Sequence, residues 1–322
     1  MLKFGKAQVP EADFLARIEG LEETIRHLDG SIEARIEAFM RLRRFIPNFD
    51  ILDSDPARRF MASSTCTAAD LLHPEYRRIC ASLGLQPRFH RKTWEWAFVV
   101  HKFEQAGVLE PGRKGLTFGV GQERLPAYFA SRGAAVVATD APPEIGANAG
   151  WTTSAEHSSS LEQLRYPDVV SSDVFDRLVT HQFCDMTAID PALTGFDFTW
   201  SSCCFEHLGT LEAGMQFVID SVEKTLKAGG VAAHTTELNL SSNTETLSSG
   251  PTVLYRKRDI LELIERLRDL GHAVEPFVVA PDSHFLDFYV DMPPYASEPH
   301  MKLRLAQYVS TSCGLFIRKR GG

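Results

Sequence analysis

"FGVGQERLPAYFASRGAAVVATDAP", residues 118–142, decides the fold. A short apolar run reaches Gly119, and a turn with a second glycine, Gly121, follows. A helical stretch then leads into a β-branched run that ends in Asp140. Strand, glycine turn, helix, strand is the opening unit of a parallel sheet with helices on its faces. Ligands of such sheets bind beyond the carboxyl ends of the strands. The two glycines let the backbone turn tightly and approach a ligand closely. Asp140, closing the second strand, can accept two hydrogen bonds from ribose hydroxyls.

The alternation continues outward from this stretch. Upstream, "KTWEWAFVVHKFEQAGVL" predicts an amphipathic helix over 92–109, closed by the Pro and Gly of "EPGRKG". Strands are expected at 115–119, 135–139, 177–183, 196–202, 231–238, 273–279 and 309–319. Helices fall between them at 123–132, 154–164, 210–227 and 257–270. The reading is a doubly wound, mostly parallel seven-stranded sheet whose last strand inserts antiparallel. Residues 1–91 form an N-terminal helical extension and 92–322 the main domain, with an insertion at 281–308. Within the extension a short helix is expected near 68–83. Over 12–46, apolar Phe14, Ile18, Leu21, Ile25, Leu28 and Ile32 step alternately by four and three, as in a coiled-coil seam. A helical hairpin and a homodimer through these helices are both open readings.

Bulk properties narrow the class. The 322 residues are 44% hydrophobic and 24% charged, which is globular, and the net charge of -8 argues against a nucleic-acid binder. The six cysteines form no C-x-x-C pair, so neither structural zinc nor a disulfide framework is expected. No apolar run is long enough to span a bilayer, and the start lacks a secretory apolar segment. A cytoplasmic protein with no integral membrane segment is the expectation.

Three features discriminate between dinucleotide and sulfonium ligands. A G-x-G-x-x-G fingerprint needs glycine at 124, where this chain has Arg124. The third strand ends in "CDMTAI", where Asp185 suits an adenine amino group and Met186 an apolar wall for the ring. The antiparallel tail, finally, is not a second dinucleotide-binding half. With "GLTFGVGQE", "VVATDAP", "CDM", "FDFTWSSCCFEHLG", "LKAGG" and "HTTELN", the chain over 92–320 resembles the class I S-adenosylmethionine-dependent methyltransferases, a Rossmann-like family. More narrowly, "WSSCCFEHLG", "HTTELN" and "VDMPPY…PHMKL" are similar to a bacterial subgroup associated with glycan and surface-polysaccharide biosynthesis. The resemblance implies that the Gly119–Gly121 loop holds the methionine part of S-adenosyl-L-methionine, Asp140 the ribose, and Asp185 with Met186 the adenine. Ser201, closing the fourth strand, joins this cofactor set. Thr117 stands where the family has an acid, and Glu123 where it has a third glycine. Backbone carbonyls or Glu123 then accept from the methionine ammonium.

Methyl transfer is an in-line displacement in which the protein aligns the acceptor and, for a hydroxyl, removes its proton. His207, after strand four, is the candidate base, because imidazole titrates near neutrality. The alternative is a histidine that packs at a helix start. Glu237, near the carboxyl end of strand five, is expected to orient the acceptor or pair with His207. A buried hydrogen bond to the next loop is its alternative. Alternation sets residues 235 and 237 on one face and 234 and 236 on the other, which makes His234 a core histidine. Glu206 is expected to point away and anchor its loop. His207, Glu237 and His284 are metal-ligand types, yet no clustered aspartates or zinc spacing marks a site, so no metal is expected. The 281–308 excursion is long enough to be functional. His284, Asp291, Tyr295 and His300 are its candidates for sugar hydroxyls, and Lys302 for a phosphate or carboxylate. Trp151 stacks on adenine or packs in the core, and Ser154 caps a helix.

The resulting expectation is O-methylation of a sugar, glycan or related hydroxylated small molecule. Methylation of an amine or carboxyl on a small metabolite, a non-catalytic cofactor-binding scaffold, and an NAD dehydrogenase are the rivals.

Overall fold

The structure is a computed structural model describing residues 11–48, 50–53, 58–144 and 157–322. The chain divides into two units, residues 1–44 and 45–322. The first is one continuous helix, α1 (Glu11–Leu42). It has no break where a hairpin would turn, although Gly20 and Gly30 both lie within it.

The expected boundary at residue 91 moves to residue 44. Segment 45–91 belongs to the larger unit because its helices share that unit's core. Predicted as one helix, 68–83 is two, α2 (Ala68–Leu72) and α3 (Pro74–Ser82), since Pro74 opens a new helix with His73 as its cap. Tyr76, Ile79 and Cys80 of α3 are buried with Trp94 and Phe98 of α4 (Arg91–Ala106). The α4 helix starts where the His90 ring accepts from the Lys92 N–H, and it stops at Gly107 in the left-handed conformation.

The sheet then builds in chain order. It comprises β1 (Lys114–Phe118), β2 (Ala135–Asp140), β3 (Val179–Phe183), β4 (Phe196–Ser202), β5 (Leu226–Asn239), β6 (Ala273–Val274), β7 (Lys302–Leu305) and β8 (Tyr308–Arg318). Its order is β3-β2-β1-β4-β5-β8-β6, with β7 attached to β8. The pairs from β3 through β5 are parallel, while β8 runs antiparallel to β5, β6 and β7. This is a Rossmann-like, doubly wound and mostly parallel fold with the antiparallel tail that the sequence predicts. It has eight strands where seven were expected. The added strand, β7, comes from the 281–308 excursion, which returns as a hairpin on β8.

Alternation along the strands divides the core. Val136, Ala138, Phe198, Trp200, Val231 and Ala233 face α3, α4 and α5 (Leu125–Ser131). On the other face Leu116, Phe118, Ala232 and Leu315 meet α7 (Leu211–Asp220) and α8 (Lys257–Asp269). A further helix, α6 (Ser172–Leu178), leads directly into β3. Strand order reverses between β1 and β4, so the ligand crevice opens beyond Phe118 and Ser202.

Candidate functional site

The glycine loop leaves β1 with Gly119 at φ +59° and Gly121 at φ +51°, both in the region that favours glycine. A Cβ on Gly119 would stand 2.6 Å from the Cys204 sulfur and 3.9 Å from that of Met186. The turn therefore packs against the ends of β3 and β4 with no room for a side chain. Asp140 fixes it from below. Its Oδ2 accepts from Gly121 N at 2.9 Å and Ser158 N at 2.8 Å, and its Oδ1 from Ala141 N at 2.7 Å. Burial pushes this carboxyl up, against the three N–H groups that favour its charge. Three of its roughly four acceptor positions are thus filled by the chain itself, leaving about one for a ligand.

Glu123 is buried behind the loop and accepts from the Trp200 indole at 3.3 Å. Burial raises its pKa to about 7, opposed by Lys92. Asp185 is half-buried, and its Oδ1 accepts from both the N–H and the hydroxyl of Thr187. Ser201 is turned into the sheet core, where its hydroxyl meets His234 Nδ1 at 2.8 Å. His234 Nε2 contacts Ser221 at 3.0 Å, so this is the core histidine that alternation predicts. Burial drives its pKa down to about 3. Trp151 and Ser154 lie outside the described residues.

On the other side of the crevice sits a charged cluster. The α4 helix runs antiparallel to β1, which brings its first turn to the carboxyl ends of β4 and β5. Arg91 ion-pairs with Glu237, lies 3.3 Å from the Glu95 carboxylate and donates to Cys203 Sγ at 3.3 Å. Lys92 pairs with Glu95 at 3.1 Å and donates to the Ser202 carbonyl at 3.2 Å. Burial pushes the Glu95 carboxyl up, but Lys92 and Arg91 outweigh it and hold it below its ordinary value.

Glu237 thus pairs with Arg91, and Thr235 on the same face donates to Glu95 at 3.3 Å. Thr236, on the opposite face, donates to Glu206 at 3.0 Å. Glu206 is fully buried rather than pointing away. Its Oε1 and the Oε2 of Glu237 are buried without a hydrogen-bond partner. Burial raises the Glu206 pKa, with Glu237 adding and His207 opposing. Cys203, Glu206 and Glu237 bring ligand-type atoms within 4.8 Å of one another. Burial, reinforced by Glu206, keeps the Cys203 thiol protonated, and the Arg91 guanidinium already supplies the cation these acids need.

His207 lies on a 3-10 turn (Phe205–His207) after β4. Its Nδ1 is 2.9 Å from the Pro251 carbonyl, which can only accept. Nδ1 is also 3.2 Å from the Thr252 hydroxyl. In a neutral ring that donates from Nδ1 to the carbonyl, Nε2 would be the accepting nitrogen.

The excursion closes over the cluster. The His300 carbonyl accepts from Arg91 N at 2.9 Å, and its ring stacks on His90 at 4.6 Å. Its Nδ1 meets Asp291 Oδ2 at 2.7 Å, and Tyr295 packs edge-on at 5.6 Å. Burial raises the Tyr295 pKa, with Glu237 adding and Arg91 opposing. Asp291, Tyr295 and His300 are thus brought together beside Arg91. His284 is not among them: it caps the 3-10 turn Phe285–Phe288 through its own ring nitrogen. Lys302 is buried in an ion pair with Asp282 at 2.6 Å and does not present a cation to the crevice.

Sequence reasoning missed Arg91, Lys92 and Glu95. Their signal was "RKTWE" at the start of a helix that precedes the first strand of such a sheet, so its charged first turn lies at the ligand edge.

No family model and no curated protein matches the chain. Solved structures that it resembles include a methyltransferase from Methanosarcina mazei described as SAM-dependent, 12% identical, with a TM-score of 0.42 over 70% of this chain and 98% of that one. Another is the magnesium protoporphyrin IX methyltransferase of Synechocystis with bound SAH, 15% identical, TM-score 0.40, over 69% and 80%. A third is Haemonchus contortus phosphoethanolamine N-methyltransferase 2 in complex with S-adenosyl-L-methionine, 13% identical, TM-score 0.41, over 80% and 58%. The fold assignment rests on the strand order and orientations above. Among the described residues, no helix is long and apolar enough to cross a membrane.

Proposed function

We propose that this protein is an S-adenosyl-L-methionine-dependent methyltransferase acting on a hydroxyl of a sugar, glycan intermediate or related small molecule. The carrying observation is the crevice between β1 and β4. One wall is a glycine turn pinned by Asp140, and the other is a buried acid–guanidinium cluster. The glycine turn suits the cofactor because a Cβ at Gly119 would fill the space against Cys204. Lys92 suits the carboxylate of a methionine moiety, and Glu123, when ionised, its ammonium. The last acceptor position of Asp140 suits one ribose hydroxyl, and Asp185 with Met186 the adenine. When bound, the cofactor supplies an electrophilic methyl group.

The chain's own residues do the remainder. Arg91, held by Glu237 and Glu95, fixes the geometry of the acceptor edge. The unpartnered oxygens of Glu206 and Glu237 are left to hydrogen-bond with groups such as sugar hydroxyls, which both donate and accept. His207 Nε2 takes the hydroxyl proton. A second reading, favoured by the Asp291–His300 contact, gives that task to His300. The six cysteines, all free, fit a reducing cytoplasm.

Calorimetry with S-adenosylhomocysteine, followed by a screen of sugar, amine and carboxyl acceptors, tests this. Binding with turnover on hydroxyl acceptors supports the reading. Turnover only on amines or carboxyls overturns the acceptor class, and binding without turnover on any acceptor favours a scaffold. His207→Ala and His300→Ala then decide the base.

A further inference from the structure

Among its described residues, the unit formed by residues 1–44 holds one helix and no second element for it to pack on. At about 1.5 Å per residue its 32 residues extend roughly 48 Å. A lone helix of this kind draws its stability from burying an apolar face. Yet Leu21 is 61% exposed and Ile25 55%, and Leu28, Ile32 and Phe39 are exposed as well.

The face has an identity beyond being apolar. Set in heptads, Ile18, Ile25 and Ile32 occupy the a positions, with Leu21 and Leu28 between them at d. Isoleucine at a with leucine at d favours two strands in parallel. A further step of four, from Ile32 to Ile36, carries the seam past Arg35 to Phe39, a local unwinding of the supercoil. Gly20 and Gly30 fall at c and f, on the outer surface, and nothing lies within 4 Å of where their side chains would be. They weaken the helix by about 1 kcal/mol each without disturbing the seam.

Charge selects the orientation. In a parallel pair each g residue faces the following e residue of the partner helix, which sets Arg17 against Glu22 twice. In an antiparallel pair e faces e, and Glu22 would meet Asp29, two like charges.

We propose that α1 is a dimerisation element, pairing with α1 of a second copy of this chain as a parallel, in-register two-stranded coiled coil. The occupant is a second copy because the seam and its flanking charges are self-complementary only in that register.

Sedimentation velocity of the full chain over a range of concentrations is expected to give twice the mass of one chain. Ile25→Lys with Leu28→Lys is expected to give single-chain mass while the main thermal transition is kept. Arg17→Glu should weaken the dimer by roughly tenfold, and adding Glu22→Arg should restore it. Leu21→Cys should form an interchain disulfide on mild oxidation that the wild-type chain does not. A wild-type monomer at every concentration, or a dimer that survives the double lysine substitution, overturns the proposal. Failure of Leu21→Cys to cross-link in a proven dimer overturns the parallel register.

Discussion

Buried carboxylates on opposite walls of one crevice are treated differently by the fold. Asp140 receives three backbone N–H groups, so almost all of its acceptor capacity is used to hold the glycine turn. Glu206 and Glu237 are as deeply buried, yet each leaves one oxygen without a partner. A buried acceptor left unpaired costs on the order of 1–3 kcal/mol. The contrast fits the proposed division of the crevice: the wall proposed for the cofactor is satisfied, whereas the wall proposed for the acceptor keeps unused hydrogen-bonding capacity.

The contrast breaks most visibly at His207. Removing a general base costs about 10²–10⁴-fold in rate. His207→Ala should therefore lower turnover by about that factor and leave the dissociation constant for S-adenosylhomocysteine unchanged. Unchanged turnover moves the base to His300.

Asp140→Asn should cost about 1–3 kcal/mol of stability, because the amide presents its own N–H groups to one of the backbone donors. Chemical denaturation measures it, and a change within about 0.3 kcal/mol would show that the turn does not depend on this carboxylate.

Glu123 sharpens the comparison through pH. Its folded pKa is raised to about 7, so between the ordinary carboxylate range and pH 7 the folded state holds the extra proton. Its contribution makes stability fall as pH rises through that window and level off above it. Denaturant titrations at several pH values should show this slope, and Glu123→Gln should remove it.

The smallest effect is expected at Glu206. One of its oxygens has no partner and burial favours its protonated form, which an amide imitates. Glu206→Gln should change stability by less than about 1 kcal/mol, while weakening the Michaelis constant for the acceptor. A large loss of stability with unaltered acceptor kinetics would return Glu206 to a purely structural role.

The sheet was legible because its strands are apolar runs separated by helices, and the Gly119–Asp140 stretch has local chemistry. The eighth strand was not, since β7 is four residues inside an excursion and pairs only because β8 offers an edge. Likewise the pairing of Glu237 with Arg91 joins residues far apart in sequence, which no local spacing encodes. Ser201 was expected in the cofactor set from its place near the end of β4, but strand alternation turns its hydroxyl into the core toward His234.

The most direct test of the account titrates S-adenosylhomocysteine into the wild-type chain and into Gly119→Ala by calorimetry. Gly119 has a left-handed backbone, costing roughly 1–2 kcal/mol for any other residue. The added methyl also meets the Cys204 sulfur, an overpacking of about 1–3 kcal/mol. One site per chain is expected in the wild type, weakened roughly 100-fold or more in the variant. No binding to the wild-type chain, or equal binding to both, would contradict it.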